Sequence, residues 1–204
     1  MTPDSARDDL AYLRALVQGA DSFPRSFGQA YSAAGVCYGV QFLMHGGQAL
    51  GWAPDAGLAA LAIGLGPTVV FLALLAWIII RSRPEGSGGA TSRAARLVFS
   101  AVGSANIVAA AVVGSVALRQ HSLTIWLIFP CIVMVFQGAA WQVASALWRR
   151  AWFAVVAAGW YAAGVGAALC IGTNAAYLAV AGLAFLLFML FPGVILARPV
   201  RRQG

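Results

Sequence analysis

A chain of 204 residues that is 61% hydrophobic and only 9% charged is far more apolar than a soluble domain, in which about a quarter of residues are charged. Its net charge of +7 comes from thirteen arginines and no lysine. The arginines flank apolar runs instead of forming one patch, which argues against nucleic acid as a partner and points to the lipid bilayer. An arginine-only cation set is also what GC-rich coding produces, so a bacterial source is expected.

The first residues carry Asp4, Asp8, Asp9 and Asp21, unlike the basic n-region of a signal peptide, so the apolar runs are expected to stay in the mature protein. SARDDLAYLRALVQGAD, residues 5–21, predicts a short amphipathic helix within a cytoplasmic leader over 1–28. Ser5 caps it with Asp8 three residues on, and Gly19 suits its end. Leu10, Leu13 and Val17 recur at helical spacing. Two readings stay open: a helix lying on the inner leaflet or the bundle, or a docking helix for a cytoplasmic protein partner through residues 5–20.

Crossing a hydrocarbon core of about 30 Å takes about 20 apolar residues as helix. Six runs are long enough, at about 29–52, 57–80, 96–118, 122–148, 151–173 and 175–197. They form a transmembrane domain over 29–197, followed by a cytoplasmic tail over 198–204. Twelve of the thirteen arginines, all but Arg119, fall on one side of this arrangement. The positive-inside rule then places both termini in the cytoplasm of a bacterial inner membrane. The expected fold is all-α: a polytopic membrane protein of six transmembrane helices behind a short amphipathic helix.

Spans two, four and six each hold a proline, Pro67, Pro130 and Pro192, separated by 63 and 62 residues. Three duplicated hairpins would give that spacing, although the prolines lie at different depths. Each proline frees a carbonyl and permits a kink. Spans three and five are rich in Gly, Ala and Ser, with small residues four apart at Ala110 and Gly114 and at Ala162 and Gly166. Such spacing favours close helix approach and predicts an interior position for both. Trp52, Trp126, Trp148 and Trp152 suit the interfacial belts.

The first span is unusual. At 100° per residue, Tyr31, Tyr38, Gln41, His45, Gln48 and Trp52 share one arc about 100° wide. Gln41 falls near mid-membrane and His45 in the outer third. A face of that kind is expected to turn inward. Span four offers a mate through Gln137 and Trp141, and Asn106 in span three is a third polar group near mid-depth. The stripe is either glue, with Gln41, Asn106 and Gln137 bonding one another, or the lining of an outward-facing pocket for a small molecule.

Catalytic groups are scarce. No Asp or Glu lies inside a span, and His45 and His121 are the only histidines. An acid–base dyad, an intramembrane aspartyl protease or a carboxylate relay lacks its residues. Serines have no histidine base at a recognisable spacing, and no glycine-rich run is followed by GK[ST]. Cys37, Cys131 and Cys170 all lie in apolar runs, form no CxxC, and suggest neither a disulfide framework nor a metal site. His45 and His121 permit bis-histidine haem ligation in principle, but His121 beside Arg119 is more simply a solvated loop residue.

DLAYLRAL at 9–16 and FPGVILAR at 191–198 resemble a loose group of six-span bacterial inner-membrane proteins, often encoded beside a small winged-helix transcription regulator. The resemblance implies a regulatory or sensory setting and carries no catalytic residues. The expected function is therefore non-enzymatic: a small-molecule sensor or membrane partner of a cytoplasmic regulator. The alternative is a channel or facilitator for a neutral solute, which would require a homo-oligomer.

Overall fold

A computed structural model describes residues 25–82 and 90–198, and these are all-helical. In chain order they form α1 (Arg25–Ala49), α2 (Gly57–Arg81), α3 (Ala90–Arg119), a single turn α4 (Leu123–Trp126), α5 (Ile128–Trp148), α6 (Ala151–Leu169) and α7 (Asn174–Phe185). A π-helical turn, Leu186–Leu190, then leads into α8 (Phe191–Ala197). The amphipathic helix expected over 5–20 and the tail beyond Arg198 lie outside the described residues.

Five stretches are long and apolar enough to cross a membrane: Gly57–Arg81, Arg93–Arg119, Leu123–Trp148, Ala151–Leu169 and Asn174–Ala197. They correspond to the second to sixth expected spans. Helix α1 starts at Arg25, four residues before the expected first span. Its 25 residues reach about 37 Å at 1.5 Å per residue, so it has the length. Gln29, Gln41, His45 and Gln48, with several serines and glycines, make it less apolar than the other five.

The turns follow from local chemistry. Gly51 and Gly57 take positive φ values of 74° and 66° on either side of the α1–α2 connection, a conformation open to glycine at little cost. Ser122 caps α4, its hydroxyl oxygen accepting from the Ile125 amide at 3.4 Å.

Helix α1 packs against α2, α7, the π-helical turn and α8, while α5 packs against α3, α4 and α6, and α6 against α7. The continuous final helix, α7 through α8, thus lies between α1 and α6. Along this seam backbone meets backbone. A methyl group at Gly28 would lie 2.5 Å from the Ala197 nitrogen, and one at Gly35 2.5 Å from the Leu190 nitrogen. A methyl at Gly193 would strike the Ser32 nitrogen. Small residues at these positions permit this approach, and dispersion contacts along it hold the helices together.

The expected interior position holds for α6, which buries Phe153, Val156, Ala157, Trp160, Gly164 and Ala167. It does not hold for α3. Of Arg93–Arg119 only Ala95 and Ala117 are buried, and a methyl group at Gly103 would meet nothing within 4 Å. Small residues permit close approach but supply little surface, so α3 is held mainly by one edge on α4 and α5. The close seam belongs instead to the first and last helices.

Each of these three prolines has a side-chain donor on a carbonyl three or four residues before it. Proline removes a helical N–H and disturbs the carbonyls one turn before it. Before Pro67, the Gly64 carbonyl accepts from Gln41 Nε2 of α1 at 2.6 Å. Before Pro130, the Leu127 carbonyl accepts from the Tyr177 hydroxyl of α7 at 2.8 Å. Before Pro192, the Phe188 carbonyl accepts from Trp160 Nε1 of α6 at 3.1 Å. Each proline turn therefore receives a side-chain donor from a neighbouring helix, as backbone in an apolar setting requires.

Candidate functional site

The polar stripe of α1 divides into three levels, each with its own partners. Nearest the basic end, Tyr31 meets α5. Trp141 Nε1 donates to the Tyr31 hydroxyl at 2.6 Å, and that hydroxyl donates to Gln137 Oε1 at 3.1 Å. Tyr31, Gln137 and Trp141 are all buried, Trp141 completely. The relay runs in one direction because indole can only donate, whereas phenol both accepts and donates.

Aromatic rings enclose this centre. Phe27 stacks on Tyr31 with centroids 5.4 Å apart and touches Phe99 at 4.6 Å. Trp141 meets the edge of Phe153 at 5.1 Å, and Phe153 in turn meets Trp152 at 4.3 Å. Offset and edge-on ring pairs of this kind add about 0.5–1.5 kcal/mol each beyond their burial. Helices α1, α3, α5 and α6 are joined at this level.

At mid-height, Gln41 turns toward α2 and binds the Gly64 carbonyl. Tyr38 lies between Phe71 of α2 and Phe185 of α7, at ring distances of 5.4 and 6.1 Å. The mutual bonding of Gln41, Asn106 and Gln137 on which the glue alternative relied is absent from the described hydrogen bonds. Gln41 is engaged with α2, and Gln137 is engaged with Tyr31, ten residues before Gln41 and about 15 Å lower along α1. Asn106 stands apart on α3, its buried Oδ1 without a hydrogen-bond partner among the described residues.

At the opposite end, His45 Nδ1 lies 2.7 Å from Gln48 Oε1, and Gln48 Nε2 donates to the Pro54 carbonyl at 2.6 Å. Because Gln48 presents its oxygen to the ring, the network assigns the imidazole proton to Nδ1. This chain fastens the end of α1 to the loop that follows. Trp52, on the same expected arc, projects from that loop and is 82% exposed.

His121 ends α3 in a left-handed conformation, φ 48°, and is exposed. Among the described residues no three His, Cys, Asp or Glu side chains gather as a metal site would require. Cys37, Cys131 and Cys170 are free thiols. The described arrangement of phenol, indole and amide groups offers hydrogen bonds, but no base paired with a nucleophile.

Comparison with family models, characterised proteins and solved structures finds no match to this chain.

Two residues important to the interior, Tyr177 and Trp160, were not singled out by sequence reasoning. Each is an aromatic side chain with one polar atom inside an otherwise apolar helix. The signal for them was indirect: Pro192 frees the Phe188 carbonyl four residues before it, which Trp160 meets, and Tyr177 meets the Leu127 carbonyl three residues before Pro130.

Proposed function

We propose that the chain is a six-span integral protein of a bacterial inner membrane, with α1 as its first span and both termini on the cytoplasmic side. In this reading it acts without catalysis, as a small-molecule sensor or a membrane partner of a cytoplasmic regulator. The carrying observation is that the polar stripe is committed within the bundle. Gln41 binds α2, Tyr31 joins Gln137 and Trp141, and Gln48 binds its own loop. Such bonds lower the cost of placing α1 in lipid.

The distribution of charge supports the orientation. Arg25, Arg81, Arg93, Arg96, Arg149, Arg150 and Arg198 flank one end of the helices, whereas Asp55 and Arg119 flank the other. The resemblance of residues 9–16 and 191–198 to proteins encoded beside winged-helix regulators supports the regulatory setting. A facilitator would need polar groups free to meet a solute, so the committed glutamines favour the partner reading over a path through a single chain.

The test is affinity purification from cross-linked bacterial membranes. A soluble DNA-binding regulator should accompany the full chain and its Gln41→Leu variant, and be lost when residues 1–20 are deleted. Solute flux in liposomes that Gln41→Leu abolishes would overturn the reading in favour of transport.

A further inference from the structure

Between the first turn of α1 and the last turn of α2 lies a cleft of about 260 Å³. Arg25, Ser26 and Gln29 line it from α1, and Trp77, Arg81 and Ser82 from α2 and its cap. The Arg81 guanidinium sits over the Trp77 ring, 5.1 Å from its centroid, a cation–π contact that orients the planar group. The Ser82 hydroxyl already donates to the Ile78 carbonyl at 2.7 Å. Among the described residues the single carboxylate is Asp55, at the other end of α2.

Apolar residues lie farther along α1 on the side that carries Arg25 and Gln29. Arg25, Gln29, Val36, Val40 and Leu43 fall within an arc of about 60° on α1 at 100° per residue. Val36, Val40, Leu43 and the adjacent Met44 are exposed. From Gln29 to Val40 the track runs about 16 Å, close to half of a hydrocarbon core about 30 Å thick. Two cations with an aromatic ring at the head of an apolar strip one leaflet deep complement the anionic phosphate and the acyl chain of a phospholipid.

We propose that this cleft holds the phosphate of an anionic phospholipid, with Arg25 and Arg81 on its oxygens and an acyl chain along Val36 and Val40. Guanidinium groups meet phosphate through paired, charge-assisted hydrogen bonds, and Ser26 and Gln29 add neutral donors. A free phosphate shares the headgroup chemistry but makes no use of the apolar track. The inference rests on the membrane placement of the bundle and is independent of the regulator reading.

The test is native mass spectrometry of the full chain in mild detergent, with phosphatidylglycerol and phosphatidylcholine of matched acyl chains. Wild type should retain phosphatidylglycerol preferentially. The pair Arg25→Gln and Arg81→Gln should lower that retention about tenfold or more. The pair Arg149→Gln and Arg150→Gln, an equal change of charge on the same end, should leave it within about twofold. Millimolar inorganic phosphate should not displace the lipid. Equal retention of the two lipids by wild type, a comparison that needs no variant, would overturn the proposal. So would an equal loss in the Arg149/Arg150 pair, which signals diffuse charge attraction, or displacement by inorganic phosphate, which signals a free-anion site.

Discussion

Tyr31 concentrates most of what a single residue does in this bundle. Its hydroxyl is the acceptor for Trp141 and the donor for Gln137, and its ring joins Phe27, Phe99 and Trp141. Removing that oxygen leaves a buried indole N–H without its acceptor and deprives Gln137 of its donor. Tyr31→Phe is therefore expected to destabilise the protein by about 1–2 kcal/mol. His45→Ala should cost less, because the His45–Gln48–Pro54 chain lies at the loop end, where Gln48 is partly exposed and water can replace the lost bond. Thermal unfolding of the detergent-solubilised variants, with equal starting folds confirmed by circular dichroism, ranks the two. A larger loss for His45→Ala would reverse the assignment of the stabilising centre. The polar arc was legible in the sequence because period 3.6 gathers Tyr31, Tyr38, Gln41 and His45 on one side. Gln137 and Trp141 were legible as mates of this arc, and Tyr31 meets both; the partners of Gln41 and His45 were not, since periodicity fixes direction around one helix and says nothing about the neighbour met at each height. Asn106 shows this limit: it shares the expected mid-depth with Gln41 but lies on α3, which does not pack on that part of α1.

At the scale of the element, the glycines inside the helices act through contact rather than through local conformation. The run of small residues in α3 has the same composition as a close-packing helix, yet Gly103 meets nothing within 4 Å. Gly28, Gly35 and Gly193, in less conspicuous surroundings, bring α1 against the final helix. Composition identifies helices that are able to approach closely; only tertiary packing decides which of them do. Gly193→Ala should accordingly cost about 1–3 kcal/mol by forcing α1 and α8 apart. Gly103→Ala should be neutral or stabilise by up to about 1 kcal/mol, since alanine has the better helix propensity. Comparable losses from both substitutions in the same unfolding assay would contradict the seam. The prolines were more informative. Pro67, Pro130 and Pro192 announced where helical hydrogen bonding is disturbed, and the structure supplies Gln41, Tyr177 and Trp160 as donors near those sites. Which residues would serve was hidden, because each donor comes from a different helix.

For the whole molecule, the central question is whether α1 crosses the membrane with the five more apolar helices. The helix has the length, and it turns its close-packing glycines toward α7 and α8 and Gln41 toward α2. Those contacts account for the polarity that sets it apart in the sequence. Its outer face, with Val36, Val40 and Met44 exposed, is apolar enough to meet lipid. If α1 spans, residues before Arg25 and the loop around Asp55 lie on opposite sides of the membrane. The direct measurement uses a variant in which Cys37, Cys131 and Cys170 are replaced by alanine, carrying a single cysteine at Ser22 or at Asp55 and treated in intact cells with a membrane-impermeant maleimide. Labelling of Asp55→Cys, with Ser22→Cys labelled only after the cells are opened, is the predicted result. Equal labelling of both positions in intact cells, or protection of both, would place the two ends of α1 on one side and contradict the six-span bundle.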